Sequence, residues 1–165
     1  MFENDTIFIA PGDVIVKQNT FSLASTPLGS CIAAVAYHEI SGTGGMAHIM
    51  MPGKAPKFCK KNQCRYAENA LELLLEKYAK LGIDNNQLVF VLIGGANVLK
   101  RSKESLTSEI ISSVEGIFKE KKLNLITSSL GGTKRRSVSI KNNGEVLYSV
   151  GNKKSQLLTN LKRKY

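Results

Sequence analysis

Hydrophobic positions in this chain come in short blocks divided by glycine, proline and polar turns, and the spacing inside each block assigns its element. Residues 6–10, 13–17 and 21–24 are brief, partly β-branched runs punctuated by Pro11-Gly12 and by Ser25-Thr26-Pro27, and all three read as strands. Residues 66–81 carry Ala67, Ala70, Leu71, Leu74, Leu75 and Tyr78 at three- and four-residue steps, with Glu68, Glu72, Glu76, Lys77 and Lys80 over much of the other face. That spacing predicts an amphipathic helix, and Gly82 stands where its C-terminal cap belongs. A second helix is expected over 106–121, with Ser105 as N-cap and Ile110, Ile111, Val114, Ile117 and Phe118 as its apolar stripe. Residues 45–51, 88–93 and 123–127 read as strands. Residues 137–140 and 145–150 flank an Asn142-Asn143-Gly144 turn and predict a hairpin. The run 31–37, Cys-Ile-Ala-Ala-Val-Ala-Tyr, is apolar throughout, so periodicity alone does not separate a buried strand from a short helix. Its small residues after a Gly-Ser turn favour a helix starting at Ser30 or Cys31.

Strands outnumber helices in this reading, and no regular βαβ array runs through the chain. The expected fold is α+β: a compact α/β sandwich with a mixed β-sheet core and two to three helices. With 165 residues, no internal repeat and no low-complexity linker, residues 1–165 are read as one domain. From Gly151 the chain turns polar and basic, which predicts a short final element and a flexible basic tail from about residue 155.

Composition narrows the partners. No apolar run approaches the roughly 20 residues needed to cross a bilayer. The start, Met1-Phe2-Glu3-Asn4-Asp5, is acidic where a secretory signal is basic, so a cytoplasmic location is expected, with its three cysteines reduced. Cys59 and Cys64 lack zinc-knuckle spacing and no second Cys or His pair follows them, so neither metal nor cofactor is expected. The net charge of +10 points to an anionic partner. Its basic residues are scattered in small clusters without interleaved aromatics, which favours a solvated basic face or an acidic protein partner over nucleic acid.

The chemistry-bearing stretch is Leu28-Gly29-Ser30-Cys31, followed 17 residues later by His48 after Gly44-Gly45-Met46-Ala47. A thiol and an imidazole can act as nucleophile and base in acyl-type substitution on an amide, ester or thioester. A lone histidine in an apolar strand is equally a hydrogen-bonded core residue, and spacing alone leaves both readings open. A helix beginning at Cys31 would lower the thiol pKa through its dipole. Ser25 or Thr26 could orient the imidazole by hydroxyl or carbonyl. The Cys31 N–H and groups of the Ser25-Thr26 segment are candidate oxyanion donors. Gly29 and Ser30, with Gly94 and Gly95 in a strand-ending glycine loop, are the candidate substrate-binding positions.

These motifs resemble a known family. Leu28-Gly29-Ser30-Cys31-Ile32-Ala33 and Gly44-Gly45-Met46-Ala47-His48-Ile49-Met50-Met51-Pro52 are similar to the chemoreceptor glutamine deamidase family, CheD. So are Arg65-Tyr66-Ala67, Ile93-Gly94-Gly95-Ala96 and Leu130-Gly131-Gly132-Thr133-Lys134-Arg135-Arg136-Ser137-Val138. The resemblance implies a protein-glutamine glutaminase acting in chemotaxis signal transduction. Such a hydrolase deamidates glutamines of methyl-accepting chemotaxis receptors to glutamate and releases ammonia. It places the family's nucleophile on Cys31 and its histidine on His48. The third catalytic position, a threonine six residues before the cysteine, falls on Ser25, with Thr26 one step later. It further implies a CheC-type phosphatase as a possible partner, a pocket open to a protein surface, and, as the alternative function, a non-catalytic adaptor that binds receptors and regulates that phosphatase.

Overall fold

The computed structural model describes residues 5–102 and 106–162; Ser105, the expected N-cap, lies outside them. The elements begin with β1 (Thr6–Ile9), β2 (Val14–Lys17), β3 (Ser22–Ser25), β4 (Ile32–His38) and β5 (Thr43–Ile49). There follow α1 (Ala67–Ala79), β6 (Leu88–Gly94), α2 (Leu106–Glu120) and β7 (Asn124–Leu130). The last three are β8 (Arg136–Lys141), β9 (Glu145–Val150) and β10 (Gln156–Asn160). Two five-stranded sheets result, ordered β1-β3-β8-β9-β10 and β2-β5-β4-β6-β7. Both are mixed: β1 runs parallel to β3 and β6 parallel to β7, and the other pairings are antiparallel. This is the expected α+β sandwich, with two helices.

The second sheet is the middle of three layers. Ile32, Ala34 and Ala36 pack with Leu71, Leu74, Ile110 and Val114, which puts α1 and α2 over one of its faces. Ala33, Val35 and Tyr37 pack with Leu23, Val138 and Ile140 of the other sheet. Period-two alternation along β4 thus feeds two separate cores. The Phe90 and Phe118 rings meet edge-on at 5.2 Å and join β6 to α2.

The central strand corrects the helix expected at Cys31. Residues 32–38 are all buried and pair along their whole length with β5 on one side and β6 on the other. A strand covered on both faces has no polar side, so it shows neither period. The small alanines serve close layer packing between the two cores and do not signal a helix. Gly44 and Gly45 have a similar cause. A Cβ on Gly44 would run into the Phe21 ring, and one on Gly45 would press on Val16, Leu74 and the Tyr78 hydroxyl. That hydroxyl donates to the Ala36 carbonyl at 2.9 Å and pins α1 to the sheet.

α1 starts without a side-chain cap; its Ala67 and Glu68 N–H groups donate to the carbonyls of Met51 and Gly53. It ends at Gly82 as expected, where the Gly82 and Ile83 N–H groups return to Ala79 and Tyr78. β10 occupies much of the stretch read from sequence as a basic tail, antiparallel to β9. No helix among the described residues is long and apolar enough to cross a membrane.

Candidate active site

Cys31 sits immediately before β4, in a turn held from three directions. Leu28 and Arg136 exchange backbone hydrogen bonds, Leu28 N–H to the Arg136 carbonyl at 2.8 Å and Arg136 N–H to the Leu28 carbonyl at 3.0 Å. The Ala96 N–H donates to the Gly29 carbonyl and the Gly95 N–H to the Cys31 carbonyl, both at 2.8 Å. Gly94, at φ 119°, lies so close that a Cβ there would collide with the Cys31 carbonyl. The Arg136 guanidinium braces this loop from behind, donating to the Gly131 carbonyl at 2.6 Å, the Gly94 carbonyl at 3.5 Å and Ser129 Oγ at 2.9 Å. The amide N–H groups of Ser30 and Cys31 donate to no acceptor among the described residues.

His48 lies in β5 directly opposite Ala33. Side chains two apart share a strand face, so Cys31, two residues before Ala33, is the diagonal neighbour of His48 on the inter-sheet side. Cys31 packs against the inter-sheet core, and His48 is fully buried. The imidazole is fixed by the turn between β1 and β2. Its backbone N–H donates to the Asp13 carbonyl at 3.0 Å, and its carbonyl accepts from the Gly12 N–H at 2.9 Å. His48 Nδ1 stands 2.9 Å from the Ile9 carbonyl oxygen. A carbonyl only accepts, so Nδ1 carries the proton and donates, and Nε2 of the neutral ring holds the lone pair. That Nε2 is buried and has no hydrogen-bond partner.

The two candidates for the third position separate cleanly. Thr26 Oγ1 lies 3.4 Å from His48 Nδ1 and 3.5 Å from the Ile9 carbonyl. Ser25 Oγ instead accepts the Val138 N–H at 3.1 Å, across the β3–β8 pairing. The hydroxyl touching the imidazole is therefore on Thr26.

Both ionisable groups are held neutral. Burial pushes the Cys31 thiol above its usual 9.0, and no helix dipole opposes this because a strand, not a helix, follows Cys31. Burial pushes His48 below 6.5, against smaller upward pulls from the Ile9 hydrogen bond and the Asp13 charge. Both shifts favour the uncharged forms, thiol and imidazole.

Gly29 and Ser30, the two residues before Cys31, line a cavity of about 320 Å³ with Val98, Leu99, Arg101 and Arg135. Gly94 and Gly95 lie under the Cys31 backbone and are not among the residues lining this cavity. His38, the other histidine, bonds Ser41 Oγ at 2.7 Å through Nδ1. It closes the far end of β4, roughly 20 Å of strand away from Cys31. Cys59 donates its thiol to the Lys61 carbonyl within the basic loop, apart from the pair.

Sequence reasoning missed Ile9, which acts through a carbonyl that any residue could supply. It also missed the bracing role of Arg136, although the Gly-Gly turn before it was visible.

Comparison with known proteins identifies relatives of this chain. A family model described as CheD chemotactic sensory transduction matches residues 50–149. A protein named probable chemoreceptor glutamine deamidase CheD, from Chlorobium luteolum, is 34% identical over 157 residues, 94% of this chain and 78% of the relative. That alignment is long enough to include Cys31 and His48, whereas the family model begins just after them. Proteins of the same name from Clostridium kluyveri and Clostridium botulinum strain Hall are each 31% identical over 136 residues, 80% of this chain and 84% of the relative. Matched by the family model over more than half its length, and by these relatives over most of it, the chain belongs to the CheD family.

Proposed function

We propose that this protein hydrolyses the side-chain amide of glutamines in chemoreceptors, with Cys31 as nucleophile and His48 as base and acid. The observation that carries the reading is the committed tautomer of His48. Nδ1–H is tied to the Ile9 carbonyl, and the unpartnered Nε2 shares a sheet face with Cys31. His38 also leaves Nε2 unpartnered, but no thiol neighbours it in the β4 register.

The chemistry follows from those positions. As Cys31 Sγ bonds to the amide carbon, its proton passes to His48 Nε2. The oxygen becomes an oxyanion facing the open amides of Ser30 and Cys31; one such donor is worth about 3–4 kcal/mol of transition-state stabilisation. His48 then gives the proton to the amide nitrogen, the carbon–nitrogen bond breaks, and ammonia leaves a thioester on Cys31. Water attacks the thioester with His48 again taking a proton. Collapse returns the thiol and a glutamate side chain. The Ile9 carbonyl and the Thr26 hydroxyl, together on Nδ1, steady the transient imidazolium.

The test is incubation with a receptor cytoplasmic fragment, following ammonia and the mass of the fragment. Matched gains of both support the assignment. A fully folded protein that leaves every receptor fragment and glutamine peptide unchanged counts against it.

A further inference from the structure

Two depressions flank the segment that leads from Thr26 to Cys31. Gly29 and Ser30 line the cavity of about 320 Å³, with Arg101 and Arg135 on its wall. Pro27 lines a broader groove of about 750 Å³ with Lys134, Arg135, Arg136 and Lys153. Arg135 belongs to both and stands on the ridge between them. Arg136 is tied to carbonyls behind the loop, as described above. Arg101, Lys134, Arg135 and Lys153 are exposed and make no ion pair among the described residues, where the ion pairs are Lys54–Glu68 and Lys80–Glu76. Among the described residues, no carboxylate lines either depression. Four cations without an ion pair among the described residues therefore line the two depressions beside the segment that leads to Cys31.

The other lining residues decide what kind of anion fits. Leu99 is 72% exposed and Leu106 42% exposed at the smaller cavity, beside Val98. Among the described residues, no aromatic ring lines either depression. Bases need stacking platforms, and none is offered here. Carboxylates interspersed with aliphatic side chains match both the charge and the apolar rim.

We propose that these two depressions form one docking track for an acidic polypeptide segment. Arg101 and Arg135 read carboxylates next to the target glutamine, and Lys134 and Lys153 read carboxylates further along. This rests on the glutamine-deamidase reading and names the determinant of substrate choice within it. Rim charges of this kind act on encounter and on salt dependence more than on the chemical step.

The experiment compares two glutamine peptides of equal length, one with glutamates on both sides of the glutamine and one with serines there. The full-length protein is assayed beside Arg135→Glu and the triple variant Lys134→Glu, Arg135→Glu, Lys153→Glu, with folding checked by circular dichroism. At low salt the parent is expected to favour the acidic peptide by about tenfold or more in kcat/KM, and to lose that preference as salt rises. The triple variant is expected to lose the preference mainly through KM, and to turn over a lysine-flanked peptide better than the parent does. Equal rates on both peptides by the parent, or equal losses on both by the variants, overturn the proposal. Fluorescence anisotropy of the labelled acidic peptide on Cys31→Ala, with and without the charge reversals, separates docking from catalysis. Charge-dependent binding without turnover of any peptide keeps the track and sinks the deamidase reading. Turnover without charge dependence does the reverse. A single-stranded oligonucleotide that displaces the acidic peptide at a lower concentration than unlabelled peptide does also overturns the assignment.

Discussion

Replacing Thr26 with valine keeps the shape of the side chain and removes the hydroxyl 3.4 Å from His48 Nδ1. Replacing Ser25 with alanine removes the acceptor of the Val138 N–H. The two changes are one residue apart and should have different consequences. The Thr26 contacts, at 3.4 and 3.5 Å, lie at the outer edge of hydrogen-bond range, and the 2.9 Å bond from Nδ1 to the Ile9 carbonyl survives the change. The imidazole therefore loses a weak second partner, about 0.5–1.5 kcal/mol. That corresponds to roughly a two- to tenfold fall in kcat. Ser25 is only 3% exposed, so its loss leaves a buried N–H without an acceptor. The cost is about 1–3 kcal/mol of stability. For a chain of this length that is a fall in Tm of roughly 2–12 °C. Ammonia release from a glutamine peptide gives kcat, and a calorimetric melt gives Tm. Thr26→Val should lower kcat with Tm nearly intact, and Ser25→Ala should lower Tm with kcat close to the parent's. If Ser25→Ala lost most of its turnover at an unchanged Tm, the separation of the two hydroxyls would be wrong.

Other consequences can be measured on the same protein. Gly94→Ala forces a side chain into φ 119° and against the Cys31 carbonyl. It should cost about 1–3 kcal/mol in strain. By shifting the nucleophile it should also lower kcat by about a hundredfold; parent-level kcat would show that Gly94 does not set the position of Cys31. Burial holds His48 below 6.5, so the acid limb of kcat/KM should lie below that value, as should the His48 midpoint in an NMR titration. The unfolded chain binds the proton first, so the stability gained by a neutral His48 is complete above 6.5 and is lost as pH falls from there through the lower folded value. Urea melts between pH 7.5 and 5 should show that slope, flattened in His48→Gln. Because burial raises the Cys31 thiol above 9.0, alkylation by iodoacetamide should be slow at neutral pH and still accelerating past pH 9. Fast alkylation at pH 7 would mean a resting thiolate and contradict the neutral pair.

Most element positions were legible because their signals are local. The three- and four-residue steps of Ala67 to Tyr78 fix α1, and Asn143-Gly144 fixes the hairpin of β8 and β9. β4 was not legible in kind, since burial on both faces erases the polar positions that distinguish the periods. The parallel pairing of β1 with β3 joins strands whose intervening chain enters the other sheet, and no spacing in the sequence announces it. In the site, Cys31 and His48 were visible as residue types between glycines. Gly94-Gly95 was visible as a place where backbone passes close to something, and the structure identifies that something as the Cys31 carbonyl. That Thr26 and not Ser25 lies against the imidazole was hidden because it depends on where β3 ends. Ser25 is the last residue of that strand, directed to β8, while Thr26 has left it and turns towards β1.

The most direct test of the central claim is one comparison: ammonia release and fragment mass for a receptor cytoplasmic fragment, with the parent and with Cys31→Ala. The account predicts that the parent converts glutamines to glutamates with one ammonia released per site. Cys31→Ala, folded and with a parent-like melt, should produce neither. Ammonia released by folded Cys31→Ala at the parent's rate would contradict a thioester on Cys31.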